Sequence, residues 1–208
     1  LLREQSETVK AGCRKMKKIL ITGAGSYIGT SFENYINTNF PDEYTVDTVD
    51  MIGGGWKEKD FSPYDAVFHV AGIAHQKENE KKEHLYYELN RDLAIETAKK
   101  SIEDGVKQFV FLSSMSVYGL NEGVITKDTT PYPKNNYGKS KLQAEELLKE
   151  LTKNKIRLVI LRPPMVYGEN CRGNYQALRK IALKFPFFPK VKNMRSMIYI
   201  ENLCEFVR

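Results

Sequence analysis

Short apolar runs alternate along the chain with longer stretches whose apolar residues recur at helical spacing. That alternation predicts a parallel sheet with helices on both faces, an α/β doubly wound architecture. The expected strands are Lys18–Thr22, which runs into a glycine, then Thr45–Asp50, Ala66–Val70, Gln108–Ser113 and Arg157–Leu161. Between them, Tyr27–Asn39 reads as the first helix. Glu83–Glu103 carries Leu85, Leu89, Leu93, Ala94, Ala98 and Ile102 at helical spacing and stops at Gly105. Tyr137–Lys153 repeats the pattern with Leu142, Ala144, Leu147, Leu148 and Leu151, after a proline-punctuated loop over Asn121–Pro133. Past Pro163-Pro164 the signal weakens to a helix over Tyr175–Phe185, a short strand over Met197–Ile200 and a helix beginning at Asn202.

The turn after the first strand changes this from a fold prediction to a site prediction. Gly23, Gly25, Ser26, Tyr27, Ile28 and Gly29 follow an apolar strand and open a helix. Small residues let a pyrophosphate approach the backbone, where the free N–H groups and dipole of the helix N-terminus favour negative charge. The spacing departs from strict G-x-G-x-x-G, since Ile28 stands at the place of the last glycine. It fits T-G-x-x-G-x-x-G better, with Ser26 in place of the middle glycine. Asp50 ends the next strand, where a carboxylate accepts bonds from both adenosine ribose hydroxyls and repels a 2′-phosphate. No Lys or Arg follows at once, so NAD is expected rather than NADP; Asp47 falls on the other side of the strand and is the weaker candidate.

Tyr137 and Lys141 stand at i and i+4, on one face of their helix and about 6 Å apart. A free phenol is a poor base at neutral pH. An adjacent ammonium and a bound nicotinamide cation bring its pKa toward the working range. The strand end before the loop offers Ser113, Ser114 and Ser116, any of which is placed to bond a reacting hydroxyl or simply to cap the turn.

Composition narrows the class. With 208 residues, 41% hydrophobic and 28% charged, the chain is large enough for one α/β domain plus part of a second. The net charge of +6 is spread over helices that also carry Glu, which reads as a solvated surface and not as a nucleic-acid footprint. Cys13, Cys171 and Cys204 lie far apart, as expected of reduced thiols in the cytoplasm. His69, His75 and His84 lack metal-ligand spacing, and no metal is expected. No apolar run approaches the roughly 20 residues of a membrane helix, so no integral membrane segment is expected.

Taken together, Thr22–Gly29, Asp50, Val70-Ala71-Gly72, Asn90, Ser113–Gly119, Tyr137–Lys141 and Leu161-Arg162-Pro163-Pro164-Met165-Val166-Tyr167-Gly168 resemble the extended short-chain dehydrogenase/reductase family, in particular its sugar-nucleotide epimerase/dehydratase group. The resemblance runs from Lys17 to the C-terminus and implies a Rossmann fold with part of a small C-terminal substrate domain. It makes residues 1–15 an extension that is non-native or mobile, 16–168 the NAD-binding domain, and 169–208 the start of a substrate-binding region cut short by the end of the chain. It implies Ser114 as the catalytic serine, Tyr137 as the acid/base, and Lys141 as a catalytic residue that binds the nicotinamide ribose. Pro163 then contacts the carboxamide side through its backbone, Asp60 and Phe61 the adenine, and Ala71 and Gly72 the adenosine side. Asn90 is structural on this reading.

Asn174, within Gly173-Asn174-Tyr175, and Arg195 fall where the family contacts the substrate diphosphate, a role suited to a guanidinium fork. The implied activity is epimerisation at C4 of a nucleotide-activated sugar, a UDP-hexose or UDP-N-acetylhexosamine, by oxidation and re-reduction on NAD, serving cell-surface polysaccharide synthesis. A 4-ketoreductase consuming NAD(P)H and a silent NAD-binding sensor or scaffold are the alternatives. A dehydratase would need an Asp-Glu pair where this chain has Met115-Ser116. The carrier, whether UDP, another nucleotide or a lipid diphosphate, stays open. The sheet-flanking helices offer a contact through which the chain would form a homodimer.

Overall fold

The computed structural model describes residues 15–74, 83–171, 174–185, 187 and 194–208. Five parallel strands, β1 (Lys17–Thr22), β2 (Tyr44–Val49), β3 (Ala66–His69), β4 (Gln108–Leu112) and β5 (Arg157–Leu161), form one sheet in the order β2-β1-β3-β4-β5. The strands alternate sides, as a two-residue period requires. Ile19, Ile21, Phe68, Val110 and Leu112 face α1 (Tyr27–Asn39), where Phe32 and Ile36 meet them. Leu20, Val67, Phe109 and Phe111 face the opposite layer. That layer is built from α3 (Leu93–Glu103) and α4 (Asn136–Thr152), with Ala94, Ala98, Ala144 and Leu148 against the sheet. The alanines let these helices pack close. The doubly wound α/β fold expected from the alternation is the fold observed.

Several bounds move by a residue, and two elements differ in kind. The expected long helix over Glu83–Glu103 is α2 (Glu83–Tyr87), a π-helical turn (Glu88–Asp92) and α3. The wider turn re-phases the buried face, which carries Tyr86, Asn90, Ala94, Thr97, Ala98 and Ser101. Asn90, fully buried, accepts from the Ile73 N–H at 2.8 Å and donates to the Ile73 carbonyl at 3.1 Å and the Ser140 hydroxyl at 3.2 Å. It ties the segment after β3 to α4. On α4 the expected apolar face is also re-phased: Leu147 is exposed, and Lys141, Ala144, Glu145 and Leu148 point inward.

Between β2 and β3 the chain forms a short 3-10 turn (Ile52–Glu58) that Trp56 anchors in the core. Past β5, β6 (Met165–Tyr167) and β7 (Met197–Tyr199) pair in parallel; α5 (Asn174–Lys184) lies between them in sequence, and α6 (Ile200–Val207) closes over α1. Among the described residues no helix is long and apolar enough to cross a membrane, and Cys171 and Cys204 are buried free thiols.

Strand order reverses between β1 and β3. The chain steps outward from β1 to β2 on one side, then to β3, β4 and β5 on the other. Ligands of such sheets bind outside the carboxyl ends of the strands at that point. His69, the last residue of β3, lies directly below it. It is fully buried between Phe109 and Phe111, with ring centroids 5.8 and 6.0 Å away, and its Nδ1 is 2.8 Å from the Thr22 hydroxyl. Burial first, and the charge of Lys141 second, push its pKa down to about 3.

The folded protein therefore holds His69 neutral where the unfolded chain protonates it. Its contribution to stability is whole above the unfolded pKa of about 6.5 and is lost as pH falls toward 3. We expect the stability difference between the unmutated protein and His69→Gln, from urea unfolding, to narrow between pH 7 and pH 4. A difference independent of pH would refute the buried neutral ring.

Candidate active site

A cleft of about 540 Å³ opens at this edge of the sheet. Each wall comes from the segment that follows a strand: Ser26–Ile28 after β1, Val70 and Gly72–Ala74 after β3, Leu112–Ser116 at the end of β4, and Pro163–Val166 after β5, with Tyr137 and Lys141 reaching in from α4. The site is thus assembled by the strand ends, and no single loop holds it.

The first wall depends on small residues. Ser26 caps α1 by accepting from the Gly29 N–H at 3.2 Å. Its hydroxyl is committed as an acceptor, which leaves its own O–H to donate. Gly29 sits where a Cβ would meet the Ser26 hydroxyl, Ile21 and Val70. Gly23 has φ +111°, and a Cβ on it would lie 2.9 Å from the backbone of Ala71. Ala71 accordingly lies buried under the turn and lines none of the cleft, whereas Gly72 does. Gly25, φ +73°, faces open space. Asp50 follows β2, exposed, with Oδ1 accepting from the Ile52 N–H at 3.0 Å. Asp47 accepts from the Tyr64 hydroxyl at 2.7 Å.

The second wall sorts the serines. Ser113 is buried and donates to Glu145. Ser114 faces the cleft and caps the 3-10 turn Met115–Tyr118, its hydroxyl accepting from the Ser116 N–H at 3.1 Å. Tyr137 lines the same cleft, and the Ser114 hydroxyl favours its phenolate. Tyr137 stands one residue into α4, which Asn135 caps by accepting from the Gly138 N–H at 2.8 Å; its ring meets Tyr86 edge-on at 6.4 Å. Burial raises the pKa of the phenol, the Ser114 bond lowers it, and Tyr86 raises it. The expected lowering by Lys141 is not among these causes. Lys141 is 5% exposed; its ammonium donates to the Leu112 carbonyl at 2.9 Å and lies 4.7 Å from the Phe111 ring centroid. Burial pushes its pKa down to about 8, while Glu145 holds it up.

Ser114, Tyr137, Lys141, Ser26, Tyr27, Ile28, Gly72 and Pro163 are therefore brought to one cleft. Others are not. The Phe61 ring is fully buried in the core, and its N–H donates to Asp104 at 2.9 Å. The carboxylate of Asp60 is spent on the Ser62 N–H and hydroxyl, at 2.8 and 3.0 Å, which hold its pKa low. Neither side chain lines the cleft. Arg195 is exposed ahead of β7 and also lies off the cleft. Asn174 opens α5, and Gly173 lies outside the described residues.

The sequence reading missed Glu145 and did not single out Arg162. Both sit directly behind the cleft, and the signal was a carboxylate four positions after Lys141, on the inward phase of α4.

A sequence model described as the NAD dependent epimerase/dehydratase family matches residues 19–207. The UDP-glucose 4-epimerase of Vibrio cholerae is 32% identical over 94% of this chain and 67% of its own length. The N-acetyl-alpha-D-glucosaminyl-diphospho-ditrans,octacis-undecaprenol 4-epimerase of Escherichia coli O157:H7 is 31% identical over 91% of this chain and 62% of its own length. The chain thus spans about two thirds of these relatives. Among solved structures, the UDP-glucuronic acid 4-epimerase of Bacillus cereus in complex with UDP-glucuronic acid and NAD superposes with a TM-score of 0.75, at 26% identity, over 91% of this chain and 71% of that one.

The glycines give a test of the first wall. Alanine at Gly23 or Gly25 meets a left-handed backbone, which costs roughly 1–2 kcal/mol. Only Gly23→Ala also drives β1 away from the segment after β3. We expect Gly23→Ala to lose clearly more stability than Gly25→Ala in urea unfolding. Equal losses would mean that the two segments are not held in contact.

Proposed function

Because the chain belongs to the NAD-dependent epimerase/dehydratase family, we propose that it supplies the cofactor half and the acid/base of an enzyme that epimerises C4 of a diphosphate-activated sugar. The observation that carries this reading is that Ser114 and Tyr137 line one cleft at the switch point of the sheet, with the Lys141 ammonium behind it. Two hydroxyls that face one cleft are placed to share one substrate oxygen.

The residues present fit a dinucleotide. The α1 N-terminus opens on the cleft past Gly23 and Gly25, which admit a phosphate to the backbone. Asp50 stands exposed at the end of the neighbouring strand for the ribose. NAD, when bound, supplies the two-electron acceptor and a positive charge beside the phenol. The chain's own part is proton chemistry and positioning. Ser114 holds the sugar hydroxyl, and the Tyr137 oxygen takes its proton and later returns it. Lys141 presents a fixed ammonium that binds a ribose hydroxyl. Ser26, Tyr27, Ile28 and Gly72 frame the cofactor, and the Pro163 backbone borders the end nearest Tyr137. Asn174 and Arg195 are the candidates for the diphosphate of the substrate, and a second copy of the chain docks on the sheet-flanking helices.

A nucleotide sugar, a UDP-hexose or UDP-N-acetylhexosamine, is the first reading for the substrate, and cytoplasmic synthesis of a cell-surface polysaccharide is its setting. A polyprenyl-diphosphate sugar is the second, favoured by the Escherichia coli relative whose name carries that lipid. Supplying both classes with NAD and following inversion of configuration at C4 decides between them. Inversion of neither would refute the epimerase reading, and consumption of NAD(P)H with net reduction would favour the ketoreductase.

Two substitutions test the roles. Tyr137→Phe removes the proton acceptor, so single-turnover oxidation of the sugar should fall by roughly 10²–10⁴-fold, with NAD still bound. A near-normal rate would remove Tyr137 from the mechanism. With Asp50 intact, calorimetry should find NAD binding tighter than NADP, and Asp50→Ala should erode the preference. Equal affinities before mutation would refute the ribose contact.

A further inference from the structure

Glu145 is a carboxylate with no exposure to water, in a part of α4 otherwise lined by Ala144 and Leu148. An isolated charge there would be strongly disfavoured. It is not isolated. The Arg162 guanidinium grips it through Nε, at 2.9 and 3.2 Å to its two oxygens, and through a terminal nitrogen, and the Ser113 hydroxyl donates to it as well. Arg162 in turn donates to the Tyr118 hydroxyl at 2.7 Å and lies over its ring. These partners come from three places. Arg162 is the first residue past β5, Ser113 the first past β4, and Tyr118 ends the turn that Ser114 begins. Two of the cleft's walls, the segments after β4 and β5, are therefore tied to one carboxylate of α4, four residues beyond Lys141.

We propose that Glu145, held by Arg162, is a positioning residue that keeps the Lys141 ammonium charged and fixes the strand ends bearing Ser114 and Pro163 against α4.

The surroundings of Lys141 make the case. On α4 it has Tyr137 one turn before and Glu145 one turn after. From β4 it meets the Leu112 carbonyl and the Phe111 ring. His69 of β3, on the Phe111 ring, is held neutral by burial. Gly72 after β3 comes close enough that a Cβ there would touch the ammonium, and the Asn90 amide is engaged by Ser140 and Ile73. Tyr86 of α2 packs on Tyr137, and Arg162 after β5 is turned onto Glu145. Of these groups, Glu145 alone offers the ammonium a negative charge. Burial favours the neutral amine; the carboxylate opposes it. Without Glu145 the ammonium would lose its proton at lower pH, and Arg162 would become an unpaired cation behind it.

This inference concerns a charge within the folded chain. Only its consequence for turnover rests on the proposed function, and the experiment keeps the two apart. Protein labelled with lysine carrying ¹³C at the ε-carbon is titrated by NMR, with the Lys141 resonance identified by its loss in Lys141→Met. We expect a midpoint near 8 in the unmutated protein. In Glu145→Gln it should fall by roughly one pH unit or more, while Arg162→Lys, which keeps a cation on the carboxylate, leaves it nearly unchanged. Should Glu145→Gln fail to fold for want of a partner to Arg162, the double variant Glu145→Gln/Arg162→Gln leaves no orphan charge, and a downward shift smaller than that of the single variant is expected there.

An unchanged midpoint in the folded variant overturns the proposal, as does an unmutated midpoint near the free lysine value of about 10.4. In turnover, the alkaline limb of kcat/KM should move down with the NMR midpoint. A brace with no influence on Lys141 would lower stability and leave that limb in place, which also overturns it. A shifted midpoint in a protein with no epimerase turnover supports this inference and counts against the function.

Discussion

A lysine ammonium withdrawn from water at the carboxyl edge of a parallel sheet is the constraint around which this site is built. A buried cation reverts to the neutral amine unless acceptors and opposite charge surround it. Here the Leu112 carbonyl, at the end of β4, accepts from it. The face of Phe111 lies against it, and Glu145 answers its charge. Each demand recruits another element. Glu145 needs Arg162 and Ser113, which fixes the ends of β5 and β4. A neutral neighbour is needed on the other side of Phe111, and His69 is neutral because its burial is complete. The polar interior behind the cleft is therefore one connected set, and its members are not interchangeable with apolar residues of similar size.

The opposite wall obeys a different constraint, distance between backbones. β1 and β3 are neighbours in the sheet, and the chain leaves both at the same level. For a ligand to enter between the two exits, side chains must be absent there. Gly23 presses on Ala71, Gly29 on Ser26 and Ile21, and Gly72 on Asn90. The π-helical turn brings Asn90 to that spot, where its amide satisfies both backbone groups of Ile73. A wall held by electrostatics thus faces a wall held by steric fit, and the cleft between them combines a charged end near Lys141 with a backbone-lined end at α1.

Much of this was legible in the sequence, for reasons that differ by residue. The helix Tyr27–Asn39 and the strand Arg157–Leu161 were read with the bounds they have, because local pattern and punctuation decide them. Tyr137 and Lys141 were legible because a helix places i and i+4 on one face. Glu145 was hidden because a glutamate on a lysine-rich helix reads as surface, and only the arrival of Arg162 from β5 makes an inward carboxylate tolerable. Leu147 failed in the converse way: its apolar character said core, but the phase of α4 is set by Lys141, Ala144 and Leu148, which leaves Leu147 outside. Phe61 went to the core for its size. In each case the deciding partner is distant in sequence, so no local window contains the information.

The phenol shows how the two walls act together. Burial raises the pKa of Tyr137, while among the described residues the Ser114 hydroxyl favours the phenolate. With the cleft as it stands, Tyr137 therefore holds its proton at neutral pH. Lys141 bonds a carbonyl oxygen of the sheet, so its charge is anchored and not swung toward the phenol. What would favour the phenolate has then to come from whatever occupies the cleft, and a cation bound between the α1 turn and Tyr137 is the kind of group that supplies it. On the function proposed above, the base is latent until the backbone-lined wall is filled, and a substrate entering first would meet a phenol that donates a hydrogen bond but does not yet take a proton.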